Sequence, residues 1–171
     1  MSEILRQYRA MAASGQHFRG LTLLHHAPLI HELIQNHNAT TLLDYGAGAG
    51  DAYEKPHQVH KVWGVARPRL YDPAFKHDNK PGKGDTFHGV IASDVLEHVP
   101  EESVGKLIGT LFRHAERFVF ASVCCRPAKK LLPTGENLHC TVKPYDWWFA
   151  LFEAQMAHKR APFEFLLIET P

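Results

Sequence analysis

Four short segments of this chain are apolar at consecutive positions rather than at alternate ones: TLLDYG (41–46), FHGVIASD (87–94), RFVFASV (117–123) and FEFLLIE (163–169). A strand with one wet face alternates apolar and polar residues; a strand covered on both faces need not. Helical patterns separate the segments. APLIHELIQN (27–36) spaces Leu29, Ile30, Leu33 and Ile34 along one helix face. Pro100, Glu101 and Glu102 are helix-start chemistry for a helix running to about His114. Pro144 and Asp146 open another through about His158. Doubly covered strands with helices between them predict an α/β fold, a mostly parallel sheet flanked by helices.

The remaining segments fill in that frame. RLYDP (69–73) reads as a short strand stopped by Pro73. Residues 51–68 carry no clear pattern, and 79–85 and 124–143 read as loops. A helix over Ser2–Ala13, with Ile4, Leu5 and Tyr8 on one face, belongs to a short N-terminal helical extension (1–38). At 171 residues the chain suits a single domain, 1–171. The net charge of +1 advertises neither extended nucleic-acid binding nor a membrane surface. Three cysteines, two of them adjacent, make no disulfide framework, so a reducing, cytoplasmic setting is expected. No stretch approaches the roughly 18 apolar residues a membrane span needs.

In parallel α/β sheets, ligands sit beyond the C-terminal ends of the strands. There the sequence places Asp44 and then Gly46, Gly48 and Gly50 at alternate positions. Glycine at such density marks close backbone approach or positive φ. A dinucleotide loop wants G-x-G-x-x-G; this one is G-x-G-x-G, with an acid two residues ahead that would repel a pyrophosphate. A nicotinamide-dependent oxidoreductase is disfavoured on that ground. A cationic amino-acid ligand would not be repelled.

LLDYGAGAG, followed about fifty residues on by DVLEHVP (94–100), resembles the first and fourth-strand motifs of class I S-adenosylmethionine-dependent methyltransferases, over roughly residues 40–123. The resemblance implies a Rossmann-like fold, small and lacking some of that family's elements, and S-adenosyl-L-methionine as cofactor. By position it places Asp44 near the methionine ammonium or as a loop-ordering group. It runs Gly46, Ala47 and Gly48 under the methionine moiety, sets Asp72 at the ribose hydroxyls, and puts Ser93 and Asp94 at the cofactor's edge. An ionised carboxylate suits two adjacent hydroxyls because it only accepts. The chain departs from the family in its long Asp44–Asp72 separation, its missing third strand and its single C-terminal strand. Asp78 and Asp85 are the candidates for the adenine-contacting acid.

Asp94, Glu97 and His98 stand at i, i+3 and i+4, which share a face in a helical turn. His139, in GENLHC on the long loop, is positioned to join them. Such donors suit a divalent metal. Ubiquinone-pathway O-methyltransferases and small-RNA 2′-O-methyltransferases resemble this pattern, with E-x-x-E-H at the same place and, in the RNA enzymes, a further downstream histidine. The same spacing also occurs in methyltransferases without metal. Either way Glu97, His98 and His139 are the expected catalytic residues, as metal ligands or as an acid–base cluster. Arg126, Lys129 and Lys130 on the loop suit an acidic substrate, and Asn137 is a candidate for orienting one. DWWFALF (146–152) is apolar nearly all round and reads as core. The expected function is methyl transfer, first to an oxygen of a small-molecule or sugar-like acceptor. Non-catalytic cofactor binding and 2′-O-methylation of RNA are the alternatives.

Overall fold

The computed structural model describes residues 3–15, 18–75, 80–160 and 162–171. Five strands form one sheet: β1 (Leu42–Tyr45), β2 (Arg69–Tyr71), β3 (Phe87–Ser93), β4 (Ala115–Cys124) and β5 (Glu164–Thr170), in the order β2-β1-β3-β4-β5. Every pairing is parallel. The last strand therefore joins β4 directly and in parallel. Among the described residues the α-helices are α1 (Glu3–Ala13), α2 (Ala27–Asn36), α3 (Val59–Val62), α4 (Glu101–His114) and α5 (Tyr145–Met156), with α2, α4 and α5 covering the sheet. No helix among the described residues is long and apolar enough to cross a membrane.

The consecutive apolar residues serve two cores. On β4, Val119, Ala121 and Val123 pack against Val104, Ile108, Leu111 and Phe112 of α4 and Trp148 and Phe152 of α5. Phe118 and Phe120, the alternate residues, face Ile30, Leu33 and Ile34 of α2 with Tyr53 and Trp63. β3 divides likewise, Val90 and Ala92 to one side and Ile91 to the other. The chain is thus a three-layer α/β/α domain, the Rossmann-like arrangement.

The unpatterned 51–68 stretch holds a 3₁₀ turn (Asp51–Tyr53) and the single helical turn of α3. Its anchors are aromatic, with Tyr53 and Trp63 edge to face and both fully buried. In α1 the deeply buried residues are Gln7, Tyr8 and Met11, so the expected Ile4–Leu5–Tyr8 face is rotated, with Tyr8 common to both. The N-terminal end of that predicted helix, Ser2, lies outside the described residues, as does Asp78. Asp85 is described. It precedes β3, at the N-terminal end of the sheet, where it pairs with Arg69 and accepts from the Gly82 amide. A ligand over the C-terminal rim is out of its reach, so its candidacy as adenine contact is corrected.

Candidate functional site

Because all five strands run the same way, their C-terminal ends gather the glycine loop (46–50), Asp72, the 94–98 turn and the 125–143 loop on one rim.

The glycine loop is tied up within the chain. Gly46 and Ala47 donate to the Tyr71 carbonyl, Gly48 to Asp72 Oδ2 at 2.9 Å, Ala49 to the Phe18 carbonyl, Gly50 to the Ala47 carbonyl and Asp51 to the Arg19 carbonyl. Six consecutive amides are satisfied, so the loop is not the open anion nest a pyrophosphate needs. The glycines answer to packing as well. A Cβ on Gly48, at φ +57°, would strike the Phe18 carbonyl, and one on Gly20 would strike the Ala47 carbonyl. What the backbone at Gly48 approaches closely is the segment Phe18–Gly20, while Gly46 lies against the Val95 side chain and Gly50 against Leu70.

Two acids stand beneath and beside this loop. Asp44, on β1, is buried and accepts from the Tyr53 hydroxyl at 2.9 Å. Burial pushes its pKa up to about 7 despite that hydrogen bond, and the nearby charge of Asp72 adds to the rise. Asp72 directly follows β2, and its second oxygen accepts from the Ala74 amide at 2.8 Å. Both oxygens of the expected ribose acid thus already brace the rim.

Asp94 does not share a face with Glu97 and His98. Its φ is +53°, outside any helix, and the turn that follows is a single 3₁₀ turn, Leu96–His98. Its carboxylate accepts from Ser122 Oγ at 2.8 Å and Thr170 Oγ1 at 3.2 Å. Ser93 Oγ lies 3.1 Å from Ser122 Oγ in the same network. This pair joins the ends of β3, β4 and β5. The expected four-ligand cluster is corrected to three.

Those three converge. Glu97, His98 and His139 each offer a ligand atom within 4.8 Å of the others. The two imidazoles meet edge to face, with centroids 5.0 Å apart. His139 Nδ1 sits 2.6 Å from the Arg126 carbonyl. His98 Nδ1 sits 3.2 Å from the Leu138 carbonyl and 2.8 Å from the Tyr8 hydroxyl. A carbonyl only accepts, so Nδ1 carries the proton in each ring and Nε2 keeps its lone pair. Metal-binding histidines are held in this way. Glu97 is 0% exposed. Its Oε1 accepts from the Cys124 amide at 3.1 Å, while Oε2 is buried with no hydrogen-bond partner among the described residues.

Burial, with Asp94 nearby, pushes Glu97 up to about 8. Burial lowers His98 to about 4. A buried carboxylate with one unpartnered oxygen among the described residues, grouped with two imidazoles, is the donor set of a three-ligand cation site with positions left open. The residues present therefore fit a divalent cation.

Asn137 has another task than the one expected. Its side chain accepts from the Ala128 and His139 amides and donates to the Ala128 carbonyl, pinning the long loop so that His139 faces His98. Arg126, Lys129 and Lys130 are exposed. Trp148 and Phe152 of the aromatic helix are core, as expected. Two surface concavities, one lined by Ala10, Met11, Leu131 and Pro133 and the other by His37, Asn38, Glu116 and Arg117, lie off this centre. The sequence reading missed Tyr8 as a polar partner of His98, because its place on α1 signals only an apolar face. Neither a protein-family model nor a curated protein matches the chain.

Proposed function

We propose that the chain transfers a methyl group from S-adenosylmethionine to an oxygen of a small-molecule or sugar-like acceptor, with a divalent cation held by Glu97, His98 and His139. The observation that carries this reading is Glu97, whose Oε2 is buried with no hydrogen-bond partner among the described residues, in a cluster with two imidazoles already fixed through Nδ1. A cation there would supply Lewis-acid chemistry, holding the acceptor hydroxyl and lowering its pKa. His98 suits a ligand better than a general base. A nitrogen held near 4 is unprotonated at neutral pH and takes up a proton poorly.

The donor side rests on Asp44 and Asp72 beside the resemblance of the two motifs. A buried carboxyl held near 7 with a second acid beside it favours a cationic ligand, as the methionine ammonium and sulfonium would be. The same acids and the fully paired loop amides speak against a pyrophosphate. The protein's contribution to transfer is alignment. The acceptor oxygen attacks the methyl carbon as the carbon–sulfur bond breaks, and the hydroxyl proton leaves to solvent or a nearby base. One observation favours a second reading, a module that holds the cofactor without turning it over: Phe18–Gly20 lies across the glycine loop.

Calorimetry with S-adenosylmethionine, with its demethylated product and with NAD separates these readings. Binding of the first two and not the third is expected. No binding of either sulfur nucleoside overturns the donor assignment. Chelation that abolishes turnover, with recovery on adding divalent cation, is expected for the catalytic version. Cofactor binding without turnover across a panel of hydroxylated acceptors and short RNAs would favour the binding module.

A further inference from the structure

Tyr8 is joined to the centre from an element that packs apart from the rest. α1 belongs to neither sheet-side core. Its Tyr8 and Met11 pack with Leu132 and Leu138 of the long loop in a small cluster of their own, edged by Ile4, Phe18, Ala74 and Ala128. Several polar ties of this N-terminal region end on the rim. Arg9 Nε donates to the Pro73 carbonyl at 2.8 Å, and Gln7 Oε1 accepts from the Thr134 hydroxyl at 3.0 Å. Phe18 and Arg19 take the Ala49 and Asp51 amides. The Tyr8 hydroxyl donates to the Leu138 carbonyl at 2.6 Å and stands 2.8 Å from His98 Nδ1. Its single proton is committed to the carbonyl. Towards His98 it is therefore an acceptor, and it reinforces the proton on Nδ1.

We infer that Tyr8 is a positioning residue for the Glu97–His98–His139 centre, and that α1 is a lid whose seating completes it. With α1 seated, the His98 ring is held through Nδ1 by the Leu138 carbonyl and the Tyr8 hydroxyl, beside Glu97 and His139. With α1 lifted, the ring keeps only the longer bond to Leu138, so its Nδ1–H tautomer is favoured by one acceptor instead of two. The Phe18–Gly20 segment leaves the glycine loop in the same movement. A small satellite cluster and a few rim hydrogen bonds are the contacts expected of a unit that opens below the global unfolding free energy. The two halves of the rim, the glycine loop and the histidine pair, are thereby coupled through the packing of Tyr8 on Phe18, whose ring centroids lie 5.4 Å apart.

The test uses the full chain labelled with ¹⁵N-histidine, free of added metal, compared with Tyr8→Phe, which keeps the ring in its cluster and removes only the hydroxyl. In the wild type, the His98 spectrum is expected to show one tautomer, protonated at Nδ1. In Tyr8→Phe it should move toward the Nε2-protonated form while the sheet amides stay in place. Gly20→Ala probes the lid from a site that does not touch His98. Its new Cβ strikes the Ala47 carbonyl, so α1 and the Ala49 and Asp51 amides should exchange with deuterium at least tenfold faster than in the wild type, with the sheet unchanged. The His98 signal should shift as in Tyr8→Phe.

A second readout rests on the cation reading above: Co²⁺ affinity, measured by competition with a chromophoric chelator, should fall about tenfold or more in Tyr8→Phe. If the wild type binds no Co²⁺, the cation reading fails, and the tautomer spectra still decide the role of Tyr8. An unchanged His98 spectrum in Tyr8→Phe, or α1 amides that exchange only together with the sheet, overturns the inference.

Discussion

Asp72 carries two burdens on one carboxylate. It accepts from the Gly48 amide and the Ala74 amide, and by the proposed function it also meets the ribose. Asp72→Ala should therefore lower stability by about 1–3 kcal/mol, the cost of leaving amides without an acceptor, before any ligand is added. Urea unfolding of the ligand-free variant checks this. An unchanged midpoint would mean that water replaces the carboxylate, and any loss of cofactor affinity would then report the ribose contact alone. At this scale the sequence was legible where a strand end fixes the position, and Asp72 is where RLYDP put it. It misled where spacing stood in for conformation. Asp94, Glu97 and His98 have helical spacing, but the backbone at Asp94 is left-handed, so one acid turns to Ser122 and the other into the site. Nothing in DVLEH distinguishes those two acids.

Gly89, in the middle of β3, reads in sequence as a weak strand residue. A Cβ there would run into the Phe118 ring on β4. The strand gives up a side chain so that a phenylalanine can fill the core on the α2 side. Gly89→Ala should cost about 1–3 kcal/mol through overpacking, and thermal or urea unfolding measures it. A neutral result would show that Phe118 has another place to go. Trp148→Ala in α5, where the indole is fully buried, should cost about 3–5 kcal/mol. Elements with several turns or uniformly apolar strands were legible because burial on both faces leaves a pattern. The crossover between β1 and β2 was not, because a one-turn helix has no period and Tyr53 and Trp63 hold it by bulk.

At the scale of the whole molecule, Asp44, Glu97 and His98 stand at the functional end, and the signs of their shifts set how stability changes with pH. Glu97 is pushed up to about 8 and Asp44 to about 7, both chiefly by burial. An acid whose folded pKa is raised keeps its proton in the fold after the unfolded chain has lost it. Its contribution is complete below the ordinary carboxylate range and is lost as pH rises through the folded value. His98 works the other way. Lowered to about 4, it contributes above the ordinary histidine value, about 6.5, and loses that contribution as pH falls toward 4. The contributions oppose each other between about pH 4 and 6.5. Above about 6.5 His98 is neutral in both states and only the acids act, so stability in the presence of a chelator should fall from about pH 6.5 to 8. Glu97→Gln keeps an acceptor for the Cys124 amide and removes the charge, so it should flatten that fall, most of all near pH 8. A divalent cation binds the deprotonated carboxylate, so adding one at about pH 8 should restore the wild type and leave Glu97→Gln little changed. Urea midpoints at the two pH values, with chelator and then with cation, give all four comparisons. A wild type whose midpoint climbs over this window would show that Glu97 is charged in the cation-free fold, and the orphaned oxygen would then need a partner from within the chain.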